Sequence, residues 1–207
     1  SLEETFQSLI QELNTYSNEK KIKIFKTLNL KDFGLIEYIN HIPCTSQEEY
    51  KNFYFNAGRL LTILYFLGAN DCHYENLIAV KENLYLIDVE TLFEPIVPFH
   101  LSEGRNTKSY LIEKLEDSVL KIGFLANTSF IKNSDGKRFD ISALGAKLDL
   151  SSSDIISWDY VNTDIMFISK KEVQKCVPHS QPFDNPDEID ISNYISKLIE
   201  GFSIQYK

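Results

Sequence analysis

The sequence predicts an α+β fold, mainly helical, with one small β-hairpin near its centre. Three observations carry this. Residues 47–67 hold Phe53, Ala57, Leu60, Leu61, Leu64 and Leu67 at helical spacing, which gives one buried stripe. "NLIAV" and "LYLIDVE" are short, apolar and rich in residues that suit strands, with Lys81-Glu82-Asn83 as a tight connection between them. The stretch "IDISNYISKLIEGFSIQYK" reads as a helix starting near Ser192.

The remaining elements follow in order. Residues 1–31 read as helical, with a charged exit through "NEKKIKIFKTLN". "FGLIEYINHI" (33–42) is a short apolar, β-capable run around Glu37, closed by Pro43. "CTSQEEY" carries a capping-box pattern, either Thr45 with Glu48 or Ser46 with Glu49. It opens a helix from about Gln47 to Leu67, which Gly68 stops. Beyond the hairpin, residues 109–125 read as helical and residues 133–140 as turn-rich. Residues 151–170 suit short strands or irregular loop, and residues 178–188 form a proline-broken loop. No internal repeat or low-complexity tract is visible.

Composition narrows the function. Of 207 residues, 43% are hydrophobic and 13% aromatic, so a packed core is expected rather than disorder. A net charge of −9 argues against a general nucleic-acid or anionic-membrane binder, which needs a basic face. The three arginines, Arg59, Arg105 and Arg138, make no obvious phosphate clamp. Cys44, Cys72 and Cys176 are widely spaced without a CxxC, as expected of free thiols in a reducing compartment. Cys176 and His179 form a lone C-x-x-H pair, and two ligands do not make a zinc site. The start lacks a basic signal-like region. The longest apolar run, Leu60–Leu67, is far short of the roughly 20 residues that span a bilayer. A soluble, cytoplasmic chain without a membrane span is expected.

The chemistry concentrates in residues 68–92, "GANDCHYENLIAVKENLYLIDVETL". Asp71 precedes Asn76 by five positions, and Asn76 precedes Asp88 by twelve. A polar loop at a helix end, followed by a hairpin with an acid at its far end, can bring three oxygen-bearing side chains to one point. Phosphoryl transfer needs that set: a carboxylate to orient a hydroxyl and accept its proton, and oxygen ligands to hold Mg²⁺ against the nucleotide phosphates. Asn76, Asp88 and Glu90 supply only oxygen, and His73 adds a group that hydrogen-bonds phosphate or titrates near neutrality. Against this stands the plain reading of a polar surface loop, in which His73 shapes the loop and Glu75 is solvated. Glu90 fits either a metal or a helix cap. Lys81 in "IAVK" falls at the hairpin turn, where an exposed residue is expected.

The order D-x-H-x-x-N resembles the catalytic segment of the kinase superfamily, and is closer to phosphoinositide lipid kinases than to protein kinases, where the His precedes the Asp. The wider text "GRLLTILYFLGANDCHYENLIAV…LYLIDVETLFEP" is similar to the dehydratase domain of class II lanthipeptide synthetases, the LanM family. "FGLIEYINHIPC" matches the hinge region there, and "GFSIQY" also fits. The resemblance spans most of residues 33–207 and is sharp over about 58–95. It implies the mainly helical C-terminal lobe of a protein- or lipid-kinase-like fold, whose hairpin carries the metal-binding acid. It divides the chain into a lead-in helix and hinge-like segment (1–42) and a catalytic lobe (43–207) truncated at both ends.

The family phosphorylates Ser and Thr of a precursor peptide with ATP and Mg²⁺, then eliminates phosphate to give dehydroamino acids. By position, the resemblance makes Asp71 the catalytic acid/base, His73 and Asn76 its active-site partners, Asn76 and Asp88 the nucleotide-metal ligands, and Glu90 a neighbouring ligand. The partners implied are the precursor peptide and the rest of the synthetase chain. No Gly-rich phosphate loop is present. The resemblance places the nucleotide-covering lobe before residue 1 and the elimination segment after Lys207, so residues 1–207 alone are expected to bind ATP weakly and be inactive. A plain kinase or lipid-kinase relative, and a non-catalytic kinase-like binding module, remain the alternatives.

Overall fold

The computed structural model describes residues 1–93, 110–111, 114–115, 117–126, 131–132, 138–145, 154–172, 178–185 and 189–207. In chain order the elements are α1 (Leu2–Tyr16), β1 (Thr27–Asn29), β2 (Gly34–Ile36), α2 (Gln47–Phe66), β3 (Leu77–Val80), β4 (Asn83–Leu86), β5 (Ile131–Lys132), β6 (Arg138–Phe139), β7 (Asp154–Asp159), β8 (Phe167–Glu172) and α3 (Ile195–Tyr206). The strands form four antiparallel two-stranded ladders, each joining sequence neighbours. The fold is therefore mixed α and β. None of the described helices is long and apolar enough to cross a membrane.

Helix α2 organises the rest. Its N-cap is Ser46, whose Oγ accepts the Glu49 N–H at 3.2 Å. The Glu49 carboxylate answers by accepting the Thr45 N–H at 2.7 Å and the Thr45 hydroxyl at 3.0 Å. Of the two capping registers open in the sequence, Ser46 with Glu49 is the one realised, its return bond displaced by one residue. These bonds hold the Glu49 carboxyl below its ordinary range. The helix stops at Phe66, and Gly68 follows in the left-handed region at φ 62°.

The expected stripe is only part of what α2 buries. Phe53, Ala57, Leu60, Leu61 and Leu64 are buried, but so are Tyr54, Gly58, Arg59, Thr62 and Ile63. From Ala57 to Leu64 the helix is enclosed on every side. The reason is α3, which crosses α2 in backbone-to-backbone contact. A Cβ on Gly58 would sit 2.0 Å from the Leu198 carbonyl oxygen, and one on Gly201 would sit 1.9 Å from the Phe55 carbonyl oxygen. Thr62 reinforces the crossing: its hydroxyl lies 3.1 Å from the Gly58 carbonyl and 3.0 Å from the Phe202 carbonyl. Arg59 then ties three segments together. Its guanidinium donates to Gln205 Oε1 on α3 at 3.0 Å, to the Lys20 carbonyl and to Ser17 Oγ at 3.3 Å. Burial pushes its pKa down, and the hydrogen bonds are what make a buried cation tolerable.

Other elements depart from the sequence reading in instructive ways. Residues 1–31 are helical only to Tyr16. There the Asn14 side chain bonds both ways with Ile22, Nδ2 donating to its carbonyl and Oδ1 accepting its N–H, each at 2.8 Å, and the chain turns back extended. The 33–42 run does form a strand, β2, but only three residues of it pair with β1. Residues 110–111 and 114–115 are helical, and Val119–Ile122 is a separate 3₁₀ turn capped by Ser118, so no single helix reaches 125. A 3₁₀ turn, Ile191–Tyr194, likewise precedes α3. Residues 154–172 resolve the open choice in favour of strands. The segment 178–185 is loop, and Cys176 lies outside the described residues.

The β3–β4 hairpin matches expectation, with Val80 opposite Asn83 and the exposed Lys81 at the turn in the left-handed region, φ 51°. Glu82 moors the turn to α2, accepting from Asn52 Nδ2 at 3.1 Å through its carboxylate and from Asn56 Nδ2 at 2.9 Å through its carbonyl. The inner face of the hairpin (Leu77, Ala79, Leu84, Leu86) is buried in the main core.

The α2–α3 crossing yields a prediction. Gly58→Ala and Gly201→Ala each force two helices apart against backbone atoms that cannot rotate away. Each is expected to cost at least the upper part of the about 1–3 kcal/mol typical of overpacking. Urea unfolding of the two variants measures this, and a change below about 0.5 kcal/mol in either contradicts the crossing.

Candidate functional site

The site hangs from the end of α2. The Ala69 N–H donates to the Leu64 carbonyl at 3.0 Å, which closes the last turn and sends the chain into the loop 70–76. Two neighbouring segments, at Ile122 and at Ile141–Ser142, hold that loop. Cys72 N–H donates to the Ile122 carbonyl at 2.7 Å, Tyr74 N–H donates to the Ile141 carbonyl at 3.1 Å, and His73 bridges Ser142. Behind them the Ala143 carbonyl accepts from Ser180 Oγ at 2.7 Å and from Gln181 Nε2 at 2.8 Å, both side chains being buried. A polar loop thus rests on a rigid platform, as a precise site requires.

Asp71 takes the left-handed conformation at φ 57°, and its N–H is held by Asn70 Oδ1 at 3.0 Å. Its carboxylate is exposed. His73 is largely covered: Nδ1 accepts the Glu75 N–H at 3.1 Å, and Nε2 lies 3.5 Å from Asp71 Oδ1. A ring nitrogen that accepts a backbone N–H carries no proton, so the neutral imidazole bears its proton on Nε2, the side facing Asp71. Asn76 Nδ2 donates to the Asp71 carbonyl at 2.8 Å. That bond commits the amide nitrogen and leaves Oδ1 as the atom available to a cation.

Asp88 arrives from the hairpin. The Ile87 N–H donates to the Asn76 carbonyl at 2.9 Å, so the residue before Asp88 is hydrogen-bonded to the loop residue Asn76. Asp88 Oδ1 accepts the Glu90 N–H at 3.2 Å, an Asx-type turn that fixes the side chain. The Cys72 thiol lies within electrostatic reach of both acids. Its pKa is pushed up to about 12, first by burial and then by the charges of Asp71 and Asp88. Asp71, His73, Asn76 and Asp88 are thereby neighbours. Glu90 is tied to Asp88 through its backbone N–H, while its carboxylate is exposed and makes no hydrogen bond or ion pair with a described residue, and no helix follows in residues 91–93 for it to cap. Glu75 is also exposed, with Tyr74 Oη donating to its Oε1 at 3.0 Å.

Among the described residues no group of three or more His, Cys, Asp or Glu side chains can hold a metal ion. Oxygen donors at the loop are Asn76 Oδ1 and the exposed carboxylates of Asp71 and Asp88, the hard-oxygen type of ligand that Mg²⁺ takes and not the nitrogen and sulfur set of a zinc site. A cavity of about 310 Å³ lies elsewhere, between the first turns of α2 and α3, and includes none of these residues.

A family profile described as a domain of unknown function, DUF4135, matches residues 1–207. The chain belongs to the DUF4135 family. It is also 30% identical over 204 residues to the lacticin 481/lactococcin biosynthesis protein LcnDR2 of Lactococcus lactis subsp. lactis. The match takes in 96% of this chain and 21% of that protein, so this DUF4135 chain spans about a fifth of its curated relative's length. Together these matches bear out the relationship to lanthipeptide synthetases that the sequence motifs suggest.

The sequence reading missed the platform of this DUF4135 chain, namely Ile122, Ile141, Ser142 and the buried pair Ser180 and Gln181. The one local signal was "DIS" at 140–142, where Asp140 Oδ1 accepts the Ser142 N–H at 2.9 Å in an Asx turn.

The thiols give a second prediction. Burial is the first cause of the raised pKa of Cys44 as well as Cys72, each moving from 9.0 to about 12. The folded state keeps both protons to higher pH than the unfolded chain does. Their contribution to stability is therefore full below about pH 9 and is lost as pH rises toward 12. At pH 8 both thiols are expected to resist iodoacetamide in the folded protein and to react in denaturant, read by peptide mass spectrometry. Rapid labelling of folded Cys72 would contradict the packing under the loop.

Proposed function

We propose that this chain contributes the phosphoryl-transfer site of a lanthipeptide dehydratase, which phosphorylates Ser and Thr of a precursor peptide with Mg-ATP before phosphate is eliminated. The observation that carries this reading is the pair of bonds centred on Asn76, from its side chain to the Asp71 carbonyl and from Ile87 N–H to its own carbonyl. They tie the Asp71 backbone, Asn76 and the residue before Asp88 together, which supports reading Asp71, Asn76 and Asp88 as one site. The relative's role in lacticin 481/lactococcin biosynthesis supports a peptide-modifying function.

In this reading Asp71 orients the substrate hydroxyl and accepts its proton, and the Nε2–H of His73 steadies the Asp71 carboxylate. Asn76 and Asp88 are the residues that would hold Mg²⁺, whose chemistry is to offset the charge developing on the phosphates. Glu90, two residues beyond Asp88, would add a further carboxylate ligand to that ion. Residues 43–207 act as the catalytic lobe of a kinase-like fold, with 1–42 as lead-in helix and hinge. The enzyme works in the cytoplasm, with the precursor peptide and the remainder of the synthetase as partners.

The test uses the full-length synthetase and its precursor peptide. Asp71→Asn and Asp88→Asn are each expected to lower both phosphorylated and dehydrated product by about 100-fold or more. Melting should change little, because both side chains are exposed. Mass spectrometry of the peptide reads the result. Unchanged product in both variants removes the site assignment. Phosphopeptide that persists with the wild-type enzyme marks a plain kinase instead.

A further inference from the structure

We infer that Thr91 is a positioning residue that latches the Asp88 arm of the site to the Asp71 arm. The inference rests on the proposed reading of Asp71 and Asp88 as one site.

The Thr91 hydroxyl donates to the backbone carbonyl of Asn70, 21 residues earlier. Asn70 is the residue that sets Asp71, because its Oδ1 accepts the Asp71 N–H at 3.0 Å and so shapes the left-handed turn at φ 57°. Its carbonyl also takes the Cys72 thiol, at 3.6 Å. One residue therefore carries both the grip from Thr91 and the hold on Asp71. A shift of the 88–93 arm reaches the Asp71 backbone through it.

The turn that bears Thr91 is anchored on both sides. Val89 and Leu92 are buried, and Leu92 N–H donates to the Val89 carbonyl at 3.1 Å. Phe93 N–H donates to the Leu67 carbonyl at 2.8 Å, at the end of α2. Phe93 itself stands at φ 63°, a conformation that costs a bulky residue energy, while 55% of it is exposed. Burial of its ring does not hold that backbone; the bonds around it do. Strained backbone at Asp71 and Phe93, either side of one latch, is the pattern of a site held to a set geometry. A surface turn with no such duty has no need of a threonine reaching back to the residue that shapes Asp71.

The experiment compares Thr91→Val, which keeps the shape and removes the donor, with Thr91→Ser, which keeps the donor, in the full-length synthetase. Thr91→Val is expected to lower kcat for peptide phosphorylation about 10- to 100-fold with the KM for peptide unchanged. It should also weaken binding of Mn²⁺, used as the probe ion and read by electron paramagnetic resonance. Without metal, it should speed hydrogen exchange at the Cys72 and Asn76 amides relative to the α2 core. Thr91→Ser is expected to restore all three. Wild-type exchange and Mn²⁺ affinity in Thr91→Val, or a Thr91→Ser variant as impaired as Thr91→Val, overturns the latch. Asp88→Asn is the control for the underlying reading. If it leaves Mn²⁺ affinity unchanged while Thr91→Val still speeds exchange, the latch stands and the assignment of Asp88 as a ligand falls.

Discussion

The constraint on which the structure depends is the backbone contact between α2 and α3 at Gly58 and Gly201. With no side chain at either position, the two helices approach until carbonyl oxygens occupy the space a Cβ would need. That closeness encloses α2 from Ala57 to Leu64 and makes this stretch part of the core rather than a surface helix with one apolar stripe. Each fully buried residue such as Phe53, Leu61 or Leu64 then contributes about 1.5–3 kcal/mol through burial. Arg59 extends the same constraint by tying the segment after α1 to α3 through a guanidinium that burial alone would expel.

The site inherits its rigidity from this helix. Both of its arms are tied to the end of α2. The Asp71 loop follows directly from Gly68 and Ala69, and the Asp88 arm returns through the Phe93 bond to Leu67. The hairpin between them is moored to α2 by Glu82. The backbones that carry the two acids are thus both anchored at the end of α2. The phosphoryl transfer proposed for this site would gain most of its rate from positioning and preorganised charge, which such anchoring supplies. The acids themselves stay exposed while the groups beneath them are buried.

Much of this was legible in the chain. The helix 47–66, its Ser46 cap, the Gly68 stop and the hairpin with Lys81 at its turn follow from periodicity, capping and turn chemistry, all of which are local. The spacing of Asp71, Asn76 and Asp88 was readable as a possible convergence for the same reason. Other features were not. The helical reading of residues 17–31 failed because Asn14 captures Ile22 and turns the chain, a side-chain bond that competes with helix propensity. The continuous helix over 109–125 failed at Ser118, which caps a new 3₁₀ turn.

The sequence by itself determined which residues can do chemistry and in what order they occur, because D-x-H-x-x-N and D-x-E sit on elements whose local signals are strong. Only the tertiary structure decided what holds them. The platform at Ile122, Ile141 and Ser142, the Thr91 bond to Asn70 and the glycine contact of α2 with α3 join residues from about 20 to more than 140 positions apart. No local pattern encodes such pairings. They depend on which surfaces meet once the helices pack, and a carbonyl or a missing Cβ has no periodicity to read. The residue types of the candidate site are written in residues 71–90, while its fixed geometry is a property of the whole fold.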